Sequence, residues 1–181
     1  MYREIHLNGI PDSSCMQYVA KNLDKDHCEA IDICRDCNPP VPKANETLEE
    51  NCYAVEHTDY YVAEYGFLSG ADKMKAEIYQ NGPISCGIDA TSKLERYNGG
   101  IFSQQLDNPQ INHEISVTGW GLDEETNTEY WIVRNSWGTY WGEQGFARFQ
   151  MYTDNLLIET ECSYGIPSFV KTAKSSAFLT Q

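Results

Sequence analysis

Between residues 111 and 145 the chain reads INHEISVTGWGLDEETNTEYWIVRNSWGTYWGEQG, and this stretch restricts the possible folds more than any other. Ile111, His113, Ile115 and Val117 fall at every second position, so a strand through them presents all four on one face. The acidic run 122–129 then predicts a turn, and YWIVR predicts a second buried strand ending at Asn135. A hairpin of the two strands brings His113 toward Asn135.

Taken alone, a histidine on an apolar face is an ordinary core residue satisfied by a hydrogen bond, and an asparagine at a strand end is an ordinary turn former. Together they carry more. An imidazole that moves protons needs a neighbour to fix its tautomer and ring orientation, and an amide does this without adding charge. Trp137, two residues beyond Asn135, can cover such a hydrogen bond and keep competing water away.

The remaining sequence narrows the class. A net charge of −14 repels phosphate backbones and argues against a nucleic-acid partner. No apolar run approaches the length of a membrane span, so no membrane partner is expected, and the first eleven residues lack the apolar segment of a signal peptide. YREIHL reads as the end of a helix closed by Asn8-Gly9 and stopped by Pro11, too short to stand alone. Residues 12–58 are polar and hold Cys15, Cys28, Cys34, Cys37 and Cys52, the composition of a loop region held by crosslinks. Zinc is the competing reading, since Cys34 and Cys37 form a Cys-x-x-Cys pair near His27, although a second tight pair is missing. Asn45 opens an N-glycosylation triplet in the same region. Farther on, Ser69 to Tyr79 has Ala71, Met74 and Ile78 on one helical side, 84–89 reads as a strand, and 143–151 alternates as another.

The segments around His113 and Asn135, above all NSWGTYWGEQG, resemble the histidine and asparagine segments of the papain-like cysteine peptidases; within that family the resemblance is to a carboxypeptidase branch. It extends from about residue 4 to about residue 168 and also rests on YGFLSG, AEIYQNGPISCGI and NGIPDSSC. It implies an α+β papain-like fold, seen here mainly as the barrel-like antiparallel second domain. The implied organisation is a first-domain tail with a cysteine-rich interdomain loop over 1–58 and a barrel-like domain bearing the catalytic residues over 59–168; the polar, patternless composition beyond it predicts a disordered tail over 169–181. It also implies His113 as acid and base, Asn135 as its orienter, Trp137 as support, no cofactor and no metal. The implied disulfides are Cys15 with Cys34, Cys37 with Cys52, and Cys86 with Cys162, leaving Cys28 unpaired.

One family element has no counterpart. The nucleophilic cysteine belongs to a CGSCW-type motif roughly 130 to 150 residues ahead of the histidine, and none of the seven cysteines lies in such a motif. Cys86 is a poor substitute, because nothing sets it beside His113 or a helix amino terminus. The short opening helix and the odd cysteine count both point to preceding sequence that carries the thiol. The expectation is a truncated peptidase, inactive alone, whose partners in the intact enzyme are that missing half, a peptide or protein substrate and cystatin-like inhibitors, and whose setting is lysosomal or secreted. The alternatives are a catalytically dead module that binds peptides or inhibitors, and a small disulfide-stapled or zinc-bound structural protein. Glu114, an acid where the family commonly has an apolar residue, is expected to need Arg148 or Arg134 as partner if buried.

Overall fold

The computed structural model describes residues 1–15, 28–38 and 51–170. The Asn45 triplet, the proline cluster 39–42, His27 and the tail from 171 onward lie outside the described residues. The chain divides into two compact units, one formed by Met1–Ala63 with Pro167–Gln181, the other by Glu64–Ile166.

In the first unit, helix α1 (Tyr2–Asn8) ends at Gly9, whose φ of 78° suits a residue without a side chain and whose N–H donates to the Ile5 carbonyl. His6 Nδ1 lies 2.6 Å from the Val62 carbonyl oxygen, and Ile10 bridges to Tyr60. A single turn, α2 (Ala30–Ile33), leads into an antiparallel pair, β1 (Arg35–Asn38) and β2 (Asn51–Ala54). The register sets Cys37 opposite Cys52, and these two are disulfide-bonded. Cys15 is bonded to Cys34, while Cys28 is an exposed free thiol. Cys34 and Cys37 are therefore tied to different partners, and neither is available as a zinc thiolate.

The second unit is built on a seven-stranded sheet. Its elements are β3 (Tyr61–Leu68), which begins in the first unit, α3 (Ala71–Asn81), β4 (Ile84–Ile88), α4 (Ser92–Glu95), β5 (Ile101–Phe102), β6 (His113–Asp123), β7 (Thr128–Arg134), β8 (Phe146–Gln150) and β9 (Cys162–Ser168). The strand order is β3-β9-β4-β6-β7-β8-β5. β4 lies antiparallel to β6 and β9, β7 lies antiparallel to β6 and β8, and β5 runs parallel to β8. The α+β class holds. The barrel is not closed, since β3 and β5 stand at opposite ends of the order.

Alternation decides which side chains fill the core. Ile84, Cys86 and Ile88 of β4, Ile115 and Val117 of β6, Trp131 and Val133 of β7, and Ala147 and Phe149 of β8 are all buried, each set spaced by two as a pleated strand requires. Cys86 faces Cys162 across β4 and β9 and is bonded to it. Helix α3 covers the sheet with Ala71, Met74 and Ile78, the face read from the sequence. Its start differs from that reading. Gly70, with φ 88° and its N–H on the Glu159 carbonyl, is the capping residue, so Ser69 lies outside the helix, which runs on to Asn81. Ile111 also departs from expectation: it precedes β6, is 38% exposed, and lies over Gly87 instead of joining the buried row.

Candidate active site

The β6–β7 hairpin does what the alternation required. Its turn is held by the Asp123 carboxylate, which accepts from the Glu125 and Thr126 backbone N–H groups, with Asn127 at a φ of 51°. The antiparallel register then runs back to Ser116 opposite Arg134. His113, the first residue of β6, and Asn135, the residue after β7, meet at that end, with 2.8 Å between Nε2 and Oδ1.

A second hydrogen bond settles the chemistry of that contact. The Ser136 backbone N–H, which can only donate, lies 2.7 Å from the same Asn135 oxygen. That atom is therefore an acceptor, so the imidazole Nε2 carries the proton it shares with Asn135. In the neutral ring Nδ1 is left with its lone pair, and among the described residues it has no partner. The pair is thus arranged to take up and release a proton at Nδ1 while the amide holds the ring. The Asn135 Nδ2 is buried and has no hydrogen-bond partner among the described residues.

Trp137 stacks on the imidazole with ring centroids 4.9 Å apart and 24° between planes. It is in turn met edge-on by Trp141 at 5.2 Å, and the Trp141 indole N–H donates to the Leu94 carbonyl at 3.1 Å. The strand-to-loop stretch 135–145 closes on itself: Asn135 N–H donates to Gly145, and Gly145 N–H to Trp141. Gly142 is required here. Its φ is 58°, and a Cβ on it would lie 2.5 Å from the Phe146 carbonyl oxygen.

The loop is fastened to β8 by a contact the sequence reading assigned elsewhere. Arg148 donates from Nε and Nη2 to both oxygens of Glu143, and Glu143 also accepts the Gly100 N–H. Among the described residues, neither Arg148 nor Arg134 pairs with Glu114. The reason is reach: Glu143 and Arg148 flank the tight turn at Gly145, so their side chains meet without crossing the sheet. The hydrogen bond from Arg148 holds the Glu143 carboxyl below its ordinary range, and Glu143 holds Arg148 above its own. A depressed carboxyl stabilises the fold above the unfolded value near 4.5, and that stabilisation is lost as pH falls through the lowered folded value. Glu143→Gln is therefore expected to cost about 1 kcal/mol at neutral pH, a figure discounted for exposure of about a third on each partner. The gap between wild type and variant should narrow in urea melts as the pH is lowered below the ordinary carboxyl value of 4.5; an equal gap at neutral and acid pH would remove the ion pair as its cause.

Glu114 points to the side of β6 opposite His113. Burial raises its carboxyl first of all; His113 opposes that shift and Glu161 adds to it. Trp141, Glu143 and the Glu114–Glu161 proximity all escaped the sequence reading. Only the spacing of Glu143 and Arg148 around Gly145 offered a local signal.

Comparison with known proteins identifies the family of the chain. The family model for papain family cysteine protease matches residues 1–166. Cathepsin Z of Onchocerca volvulus is 41% identical over 175 residues, which is 92% of this chain and 53% of that protein. The chain thus spans about half the length of that curated relative. Among solved structures, digestive procathepsin L 3 of Tenebrio molitor larval midgut superposes with a TM-score of 0.54 at 38% identity, over 59% of this chain and 36% of that one. ProCathepsin B S9 from Trypanosoma congolense gives 0.67 at 23% identity, over 92% of this chain and 52% of that one, a likeness of fold alone.

Proposed function

This chain belongs to the papain family of cysteine proteases, and from that premise we propose that it supplies the proton-handling half of a cathepsin Z-like peptidase, with His113 as acid and base, Asn135 as its orienter and Trp137 as their cover. The observation that carries the proposal is the 2.8 Å contact from Nε2 to Oδ1 beneath a stacked indole. In the reaction a thiolate attacks the scissile carbonyl, the C–N bond breaks, and the imidazolium gives its proton to the leaving amine. Water then cleaves the thioester with the same imidazole as base, restoring the thiol.

The thiolate comes from outside these residues in this reading. Six of the seven cysteines are consumed by disulfides, and Cys28, the seventh, has no glycine-rich nucleophile motif around it. The relative's length, about twice the span matched here, leaves room for a nucleophile-bearing half. The substrate is a peptide trimmed from its carboxyl end, cystatin-like proteins are the natural inhibitors to test, and the setting is lysosomal or secreted, which three disulfides support. Among the described residues no helix is long and apolar enough to cross a membrane.

The purified 181-residue chain is expected to show no turnover of a dipeptide dye substrate, because loss of the nucleophile alone removes about as much rate as loss of a whole triad, roughly 10⁶-fold in the measured case. Refolding it with a nucleophile-bearing half from a relative should restore release of carboxyl-terminal residues. Turnover by the chain alone, blocked by a thiol-directed reagent, would overturn this assignment.

A further inference from the structure

The β4–β6 ladder stops at the histidine. Its last pair is Ile88 with His113, and beyond that pair the chain leaves on the excursion 89–112, which carries α4 and β5. A strand end with nothing past it frays. What joins the two arms beyond the last pair therefore sets how firmly His113 is held.

The arms are joined by a clasp of hydrogen bonds. The Asn112 N–H donates to the Ile88 carbonyl at 3.0 Å. One oxygen of the Asp89 carboxylate accepts the Gln110 N–H at 2.8 Å, and the other accepts from Asn112 Nδ2 at 3.1 Å. In return, Asn112 Oδ1 accepts the Ala90 N–H at 2.7 Å. The Asp89 N–H donates to the carbonyl of the fully buried Leu156 at 3.0 Å, which ties the clasp to the core.

Residue 89 has to be an acid for this clasp to close. The Gln110 and Ala90 N–H groups can only donate. Ala90 thereby fixes which end of the Asn112 amide is the oxygen, so the amide NH2 faces Asp89. Position 89 meets two donors and must accept from both. A carboxylate does so, whereas an amide would set its own NH2 against one of them. Asn112 is exposed and Asp89 half-buried, so water replaces a lost bond at little cost to stability, and the worth of the clasp lies in direction.

We propose that Asp89 is a positioning residue for the reaction: its carboxylate fixes the backbone that leads into β6 and so keeps the His113 ring directed at Asn135. The inference rests on the peptidase reading, which makes that ring the proton carrier. Asp89 acts through Gln110 and Asn112, the latter adjacent to the histidine in the chain.

The test uses the 181-residue chain with isotope-labelled histidine and follows the tautomer of the His113 ring and the exchange of its Nε2 proton with water. Wild type is expected to hold the Nε2–H tautomer alone. In Asp89→Asn and in Asn112→Ala the proton should exchange about 10-fold faster. The swap Asp89→Asn/Asn112→Asp lets every donor meet an acceptor again and should return the wild-type rate. Lys75→Met removes the ion pair with Glu129 at the turn end of the β6–β7 hairpin and should leave the rate unchanged, which separates positioning from general loosening. In a protein that unites this chain with a nucleophile-bearing half, the single variants should lower kcat about 10-fold at unchanged KM, and the swap should recover it. Wild-type exchange in Asp89→Asn, or exchange in the swap as fast as in the single variants, overturns the role given to Asp89 and leaves the peptidase reading standing. If a single variant fails to fold, the swap decides: recovery of fold and exchange supports the pairing, and no recovery overturns it. A His113 ring that samples both tautomers in wild type counts against the peptidase reading and removes the proposal with it.

Discussion

In a protein that unites this chain with a nucleophile-bearing half, His113→Ala is expected to lower kcat/KM by about 10⁴-fold or more, the scale seen when a base is removed from a catalytic unit. Among the described residues the imidazole is the only proton carrier the hairpin brings to this point, and none of their side chains is placed at its Nδ1. Asn135→Ala should cost less, about 10²-fold, since the ring is still present but no longer held in one tautomer and direction. Neither change should disturb folding much, because both residues sit at the open end of the hairpin and are only half-buried. Steady-state kinetics with a matched thermal melt separates the two effects. A variant lacking the Asn135 amide that keeps the wild-type rate would show that the 2.8 Å contact has no catalytic role.

The largest stability effect belongs to the middle of the same hairpin. Trp131 is fully buried, and its indole N–H donates to Glu159 Oε1 at 2.9 Å. The same carboxylate oxygen accepts the Tyr152 backbone N–H at 3.0 Å. Trp131→Ala leaves a cavity in the centre of the sheet and removes one donor from that carboxylate, and is expected to cost about 3 to 5 kcal/mol. A domain of ordinary stability, about 5 to 15 kcal/mol, survives that only narrowly. Trp131→Phe keeps most of the packing and should cost distinctly less. Urea denaturation of the 181-residue chain measures both, and a midpoint for Trp131→Ala within error of wild type would mean that the sheet is not the folding core of this unit.

The two predictions draw on different layers of information. The site was legible because its parts are local to one hairpin. Strict alternation fixes which face His113 occupies, the acidic turn sets the register, and Asn135 falls where β7 must end. The core was legible for the same reason, strand by strand, from side chains spaced by two. Errors arose where a residue lies just beyond an element. Ile111 follows the period of β6 yet precedes it, and Ser69 has the chemistry of a cap while Gly70 has the conformation. Periodicity does not mark where a strand begins; the hydrogen-bond ladder does.

By itself the sequence determined the α+β class, the hairpin, the meeting of His113 with Asn135, and family membership through a long specific motif. The tertiary structure alone decided which charge meets which. Arg148 goes to Glu143 because a tight turn brings their side chains together, and Glu114 instead comes to face a cavity with Glu161, 47 residues along the chain, because β4 lies between β6 and β9 and has a glycine at that level. A side chain's choice of ionic partner depends on reach across strands that are neighbours only in the folded chain, and no local pattern encodes that distance.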